Sequence, residues 1–318
     1  MQEMTLKLTR ELRVFYNEHN ENCTNCGSSL SEGDCVHLGY LSEDRHAVLC
    51  DKCCHLLSKT VIRYHWMEKE YTKPAPEEKL WRYMDLSKFI SLISTKQLYF
   101  ASASSFDDPF EGAKGLQKNK TKWDNYYLDF FEKAVRTAPG MDAIKLSDEK
   151  VNNDAKRLLQ ELSNSSQASR NHTFISCWHS NEYESEAMWK LYSKDTSNAV
   201  AIQTTGKRLY LALDREPSVS IGKVKYIDFS NQYSSINGAY WYKRKSFEHE
   251  REVRAITHAV DNTSSGVLLP IDLDILIDRI YVSPYAPSWF TNVVKSVVKV
   301  YGIEKTVFQS QMLDEPFF

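Results

Sequence analysis

The chain has 318 residues, a hydrophobic fraction of 42%, a charged fraction of 26% and a formal net charge of −2. Those values are ordinary for a globular protein and argue against strong non-specific binding of nucleic acid by the chain as a whole. No apolar run approaches the roughly 20 residues that span a bilayer: the stretch from Val267 to Ile277 is broken by Pro270, Asp272 and Asp274. Met1 to Arg13 is too charged for a signal peptide, so a cytoplasmic chain without a membrane partner is expected.

In chain order, a helix is expected from the N-terminus to His19. Cys23-Thr24-Asn25-Cys26-Gly27 then reads as a zinc knuckle, in which glycine lets backbone amides turn toward sulfur. Cys35 to Tyr40 and His46 to Leu49 read as two strands joined through Ser42-Glu43-Asp44. A helix is expected from Asp51 toward Trp66, with Cys50 and Cys53 at its first turn. Knuckle, hairpin and helix is the order of a treble-clef finger. It makes Cys23, Cys26, Cys50 and Cys53 the four thiolate ligands of a structural Zn²⁺. Six of the seven cysteines fall within the first 54 residues, which fits metal binding in a reducing compartment better than a disulfide framework. The competing reading is four buried free thiols, and Cys35, His37, Cys54 and His55 are spare ligand candidates. The module (1–70) is mildly acidic, so its zinc site does not by itself imply a nucleic-acid binder.

Tyr71-Thr72-Lys73-Pro74-Ala75-Pro76-Glu77-Glu78 reads as a proline-rich linker, with 71–79 separating the module from a second domain at 80–318. That domain mixes strands and helices. Leu80 to Met84 reads as a strand. A helix follows at Lys88 to Thr95, with Asp85 and Ser87 as possible caps. Gln97 to Ser102 is a strand, Trp123 to Thr137 and Ser147 to Leu162 are helices, and Asn164 to Asn171 is an Asn/Ser-rich turn. Thr173 to Trp178, Ala199 to Gln203, Val219 to Tyr226, Glu252 to His258 and Ile280 to Val282 read as strands, with helices at Ser185 to Tyr192 and Ser288 to Tyr301. The fold class is α+β with a mixed sheet. No G-x-G-x-x-G or P-loop is present, which removes the commonest dinucleotide and nucleoside-triphosphate sites.

Two basic patches stand out. Lys114, Lys118, Lys120 and Lys122 cluster, and Tyr240-Trp241-Tyr242-Lys243-Arg244-Lys245 interleaves aromatics with cations, a pattern suited to stacking on bases beside phosphates. The alternative for the second patch is a half-buried aromatic edge. Cys177 lacks a local base and reads as buried. Asp108-Pro109-Phe110-Glu111-Gly112 reads as a structural turn whose acidic pair could face a cleft.

Residues 80 to 310 resemble a bacterial family known as domain of unknown function 2971. The resemblance is carried by Leu80-Trp81-Arg82-Tyr83, by Leu98 to Ser102 leading into Phe106 to Gly112, by Phe174-Ile175-Ser176-Cys177-Trp178, by Met188-Trp189-Lys190-Leu191-Tyr192 and by Lys245 to Arg254. Asn198-Ala199-Val200 departs from it, since the family places a glycine before that strand. The family name supplies no reaction.

The motif order is similar to the Arg–Ser–Glu arrangement of ADP-ribosyltransferases. That resemblance implies catalytic roles for Arg82, Ser176, Glu250 and Glu252, and NAD as substrate, contacted by Arg82, Tyr83, Ser102, Trp189 and Tyr192. It also implies a protein or RNA acceptor, a regulatory or antitoxin partner, and a part in toxicity or antiviral defence. Splitting the nicotinamide–ribose bond develops positive charge on the sugar, which a carboxylate stabilises, and a guanidinium can clamp a phosphate. Placed on one strand, Glu250 and Glu252 would share a face. Arg254 would share it too, and the three could instead form an exposed charge ladder. Arg82 could equally be a salt-bridge partner of Glu111, and Ser176 a small core residue. Trp81, Trp178 and Trp189 could belong to the core. Two other classes remain: a zinc-containing adaptor using the basic patches, and a nuclease built on His37, His46 and His55.

Overall fold

A computed structural model describes residues 6–13, 22–31, 34–40, 46–57, 62–64, 71–137, 146–193, 195–213, 218–259 and 264–318. The chain divides into two compact units, Met1–Lys69 and Glu70–Phe318.

The first unit holds a four-stranded sheet in the order β3-β2-β1-β4, built from β1 (Leu6–Arg13), β2 (Cys35–Tyr40), β3 (His46–Cys50) and β4 (Ile62–Tyr64), with α1 (Asp51–Leu57) after β3. The expected hairpin and the helix start are present. Two expectations are corrected. Residues 6–13 form a strand, paired antiparallel with β2 and parallel with β4, because sheet pairing overrides the helix propensity of Leu, Lys, Arg and Glu. The rest of the expected N-terminal helix, 1–5 and 14–19, lies outside the described residues. Helix α1 is described over Asp51–Leu57 and cannot run on toward Trp66, because Ile62–Tyr64 is a strand, as its β-branched and aromatic residues favour; 58–61 and 65–66 lie outside the described residues.

The second unit runs through β5 (Lys79–Asp85), α2 (Leu86–Thr95), β6 (Gln97–Ser102), α3 (Lys120–Arg136), α4 (Asp148–His172), β7 (Thr173–Ser180), α5 (Glu186–Tyr192), β8 (Ala199–Thr205) and α6 (Gly206–Ala212). It continues through β9 (Ser220–Lys223), β10 (Lys225–Ile227), β11 (Tyr242–Arg244), β12 (Glu252–His258), β13 (Gly266–Pro270), α7 (Leu273–Leu276), β14 (Arg279–Val282), α8 (Ser288–Val300) and β15 (Val307–Gln309). The expected Asn/Ser turn at 164–171 is instead the end of α4. Its serines stay compatible with a helix by bonding back to preceding carbonyls, as Ser166 does to Leu162. Asp85 takes the N-cap position of α2 without a side-chain cap bond, whereas Ser185 caps α5 by accepting from the Met188 amide.

Nine of the described strands form a mixed sheet, and β7 is its branch point. One edge of β7 pairs with β12 throughout, from Thr173↔His258 to His179↔Glu252. The other edge is shared. It meets β6 only at Phe174 and Ile175, and β5 only at His179 and Ser180. Between those short contacts the edge at Ser176–Trp178 has no described strand partner, so the sheet splits there. The main core lies on one face, where Phe89 and Ile93 of α2 and Phe290 and Val294 of α8 are fully buried. Across the sheet Trp81 and Tyr83 pack with Met188 and Trp189 of α5.

The predicted tether at 71–79 belongs to the second unit rather than hanging free. Tyr71 stacks on Trp241 at 4.2 Å between centroids. The Lys223 amide donates to the Thr72 carbonyl at 2.8 Å, and Glu78 pairs with Lys223 at 2.7 Å. A fragment beginning at Tyr71 is therefore expected to melt cooperatively. One beginning at Leu80 should melt several degrees lower, having lost the stack and the Glu78 contacts. Equal midpoints for the two fragments would show that 71–79 adds nothing to the fold.

Candidate functional site

In the first unit, the Sγ atoms of Cys23, Cys26, Cys50 and Cys53 all lie within 4.8 Å of one another. Gly27 has φ +69°, which closes the knuckle. The Cys50 amide donates to the Cys23 sulfur and the Cys53 amide to the Cys50 sulfur, each at 3.4 Å, so backbone N–H groups already point at two of the four sulfurs. This donor set fits a tetrahedral metal ion. A second group, Cys35, His37 and Asp51, sits in the same unit, with His37 Nε2 3.0 Å from Asp51 Oδ1. Cys54 is buried outside both groups. The side chains of His46 and His55 lie outside the described residues.

In the second unit, the split beside β7 opens a cleft of about 360 Å³, lined among others by Arg82, Tyr83, His179, Tyr192, Glu250 and Glu252. Strand parity puts Arg82 on the face opposite Tyr83, and the split lets residues from both faces reach one space. The Arg82 guanidinium spans it. Nη1 donates to Ser176 Oγ on β7, and Nη2 donates to the Tyr99 carbonyl on β6 at 3.3 Å. It also lies 5.6 Å from the Trp178 ring. Burial pulls its pKa below the ordinary value, and no described carboxylate pairs with it. The alternative of an Arg82–Glu111 salt bridge is thereby corrected: Glu111 belongs to Arg254.

Arg254 is the centre of a buried charge cluster. It holds Glu111 through Nη1 at 2.5 Å and Nη2 at 2.8 Å, Glu252 through Nε at 2.8 Å, and the Tyr240 carbonyl at 2.6 Å. Lys243 joins it, 2.5 Å from Glu250 and 3.2 Å from Glu252. Three carboxyl groups thus face two cations, a formal surplus of one negative charge when all are ionised. With Arg254 at 0% and Glu252 at 3% exposure, an exposed charge ladder is ruled out. Burial would raise the Glu252 pKa, but Arg254 and Lys243 outweigh it and hold the carboxyl at about 2. Glu111, at the tip of its turn, is pushed up by burial against the pull of Arg254. Gly112 completes that turn with φ +73°, where a Cβ would meet the Tyr240 ring at 2.6 Å.

Glu250 and Glu252 converge by a different route from the expected strand. Glu250 ends a 3₁₀ helix, Lys245–Glu250, and Glu252 begins β12. Arg251 between them is left-handed at φ 40°, an uncommon conformation for a residue with a side chain. That turn, with Lys243 bridging the two carboxylates, aims both into the cleft.

The remaining expected ligand contacts divide. Tyr83 lines the cleft, its hydroxyl accepting from the Ser185 amide at 2.9 Å. Tyr192 lines it at the end of α5, its phenol held protonated by desolvation and by the Glu252 and Glu250 carboxylates. Trp189 is fully buried, edge-on behind Tyr83 at 4.9 Å, and supports that ring rather than facing a ligand. Ser102 is buried too, bonded to Ser104 and the Arg170 carbonyl. Ser176 is buried and reaches the cleft only through Arg82. Cys177, expected to be buried, is half-buried and lines the cleft; desolvation and then Glu252 push its thiol well up. The stacking patch at 240–245 is corrected. Tyr240 and Trp241 are core residues, Lys243 is buried among carboxylates, and Arg244 pairs with Asp108 at 2.9 Å. The sequence assigns no catalytic role to Arg254, Lys243, Glu111 or His179, and it places Lys243 in a stacking patch and Glu111 in a turn. Their only shared signal is a charged or polar residue in an otherwise apolar or motif-dense stretch.

No protein-family profile matches the sequence, and no curated protein matches it. Two solved structures show weak similarity, both of DarT from Thermus sp. 2.9: one in complex with ADP-ribosylated ssDNA and one in complex with NAD+. Each has a TM-score of 0.34 and covers 76% of this chain and 98% of its own, at 8% and 9% identity respectively. Among the described residues no helix is long and apolar enough to cross a membrane.

Proposed function

We propose that the second unit is an NAD-dependent ADP-ribosyltransferase, and that the first is a zinc-stapled treble clef. The observation that carries the first part is an unpaired, partly buried guanidinium, Arg82, in the same cleft as the carboxylates of Glu250 and Glu252. A buried cation without a counter-ion is costly to keep, and an anionic ligand supplies the missing partner. In this reading Arg82 clamps the diphosphate, held in place by Ser176 and Tyr99, and Tyr83 and Tyr192 offer ring faces.

The C1′–N bond breaks as nicotinamide leaves with the bonding pair, and the positive charge that develops on the ribose is stabilised by the cluster's surplus negative charge. Glu252, at about 2, is a poor base and a permanent anion. Glu250 keeps one oxygen outside its Lys243 contact and is the better group to take the proton from an attacking acceptor. The acceptor is a protein or a nucleic acid, and a partner occupying the cleft would silence the enzyme, as toxin or defence systems require.

The test is release of nicotinamide from NAD by the full chain, with transfer of labelled ADP-ribose into protein and nucleic acid of a lysate followed separately. A folded chain that neither binds NAD nor releases nicotinamide, with lysate present, overturns the proposal.

Zinc would supply no chemistry beyond cross-linking the knuckle to the helix start. One Zn²⁺ per chain is expected, lost in a Cys23→Ser/Cys26→Ser/Cys50→Ser/Cys53→Ser variant whose first unit no longer folds, because its core is too small to stand without metal. Undiminished zinc in that variant would move the site elsewhere, with Cys35, His37 and Asp51 next in line.

A further inference from the structure

His179 stands in the cleft wall with one ring nitrogen fixed and the other unused. Its Nδ1 lies 2.6 Å from the backbone carbonyl of Glu250. A carbonyl only accepts, so Nδ1 carries the proton and donates. Burial lowers the ring's pKa below the ordinary 6.5, so the imidazole is neutral and Nε2 presents a lone pair. That Nε2 is buried and has no hydrogen-bond partner among the described residues, and the residue lines the cleft at 6% exposure. An unmet buried acceptor of this kind is unfavourable, and a donor on a ligand entering the cleft would meet it.

The surroundings identify the donor. His179 is the register partner of Glu252 across the β7–β12 pair. Glu250 hangs by its own carbonyl from the other side of the same ring. The Tyr83 ring is 6.4 Å away. The acceptor therefore belongs to the part of the cleft where the two carboxylates meet the ligand. On a nucleotide the donor that accompanies developing positive charge is a sugar hydroxyl. Resting on the NAD reading above, we infer that His179 Nε2 accepts a hydrogen bond from a hydroxyl of the nicotinamide-side ribose, making this histidine a reader of the sugar.

The two nitrogens can be separated by substitution. Asparagine places an amide N–H near the position of Nδ1, keeping the Glu250 carbonyl anchored and removing the acceptor. Glutamine places an oxygen near the position of Nε2, restoring the acceptor and losing the anchor. Equilibrium binding, rather than turnover, should be measured, because deoxygenation itself changes the lability of the glycosidic bond. The probes are NAD and its 2′-deoxy and 3′-deoxy forms on the nicotinamide ribose.

The wild-type chain is expected to bind NAD roughly 10- to 100-fold more tightly than one of the two deoxy forms, the range one buried hydrogen bond supports. In His179→Asn that ratio should fall to about 1 with the thermal midpoint held, and in His179→Gln it should be partly restored. An unchanged ratio in a folded His179→Asn chain, or equal wild-type affinity for all three probes, overturns the assignment while leaving the transferase reading standing. Failure of the wild-type chain to bind NAD at all overturns both.

Discussion

Arg254→Met is expected to destabilise the second unit more than any other single substitution in the cleft. The methionine fills much of the arginine's volume, but it strands Glu111 and Glu252 as buried carboxylates and leaves the Tyr240 carbonyl without its donor. Removing one partner of a buried ionic network costs about 3–5 kcal/mol. For a unit of this size that lowers the thermal midpoint by roughly 10 °C. Lys243 can compensate only in part, being already committed to Glu250 and Glu252.

Acid should act on the same network. Glu252 is depressed from 4.5 to about 2, so its contribution is fully present above pH 4.5 and is lost as pH falls toward 2. Differential scanning calorimetry between pH 2 and pH 7 on the wild type and on Arg254→Met would test both statements. A variant melting within a degree or two of the wild type at pH 7 would mean that the network is not holding the turn at Glu111 to β12.

Much of the strand and helix order of the second unit is legible in the sequence because its elements are local. Short β-branched apolar runs such as Ala199 to Gln203 read as buried strands, and Phe89, Leu92 and Ile93 recur at helical spacing on α2. The cysteine pairs are equally legible, since their spacing is the ligand geometry. The branch at β7 is not. It depends on β5 and β6 sharing one edge of a strand about a hundred residues later in the chain, and nothing local encodes a shared edge.

The charge network is hidden for the same reason. Arg254 and Glu252 look like a surface ladder until Glu111, 143 positions away, is brought against them. Strand alternation also misplaced Glu250. The left-handed turn at Arg251 is invisible to a two-residue periodicity, because arginine carries no signal for positive φ. At the N-terminus, propensity pointed to helix and the sheet prevailed, which is the usual outcome when a short segment of mixed preference finds a strand partner.

Arg82→Met should do the reverse of Arg254→Met, abolishing ligand binding while leaving the thermal midpoint unchanged or raised. Arg82 spans the split with hydrogen bonds to Ser176 and the Tyr99 carbonyl but has no described carboxylate partner. Holding a partly buried cation without a counter-ion weakens the fold, and methionine removes that cost while keeping a side chain against Trp178. Each charge-assisted hydrogen bond to a diphosphate contributes about 1.5–3 kcal/mol. The Kd for NAD should therefore rise by roughly 100-fold or more, with little recovery in Arg82→Lys, which restores charge without the planar fork.

Glu252→Gln completes the contrast. It should eliminate nicotinamide release, because the permanent anion beside the sugar is gone, and it should also lower the midpoint, because Arg254 and Lys243 lose part of their counter-charge. Two substitutions in one cleft, both inactivating and opposite in their effect on stability, are the signature of a site where a ligand rather than the protein satisfies Arg82. If Arg82→Met melts as low as Arg254→Met and still binds NAD, the guanidinium is a brace between β5, β6 and β7, and the anion that the cleft was read as awaiting has no place in it.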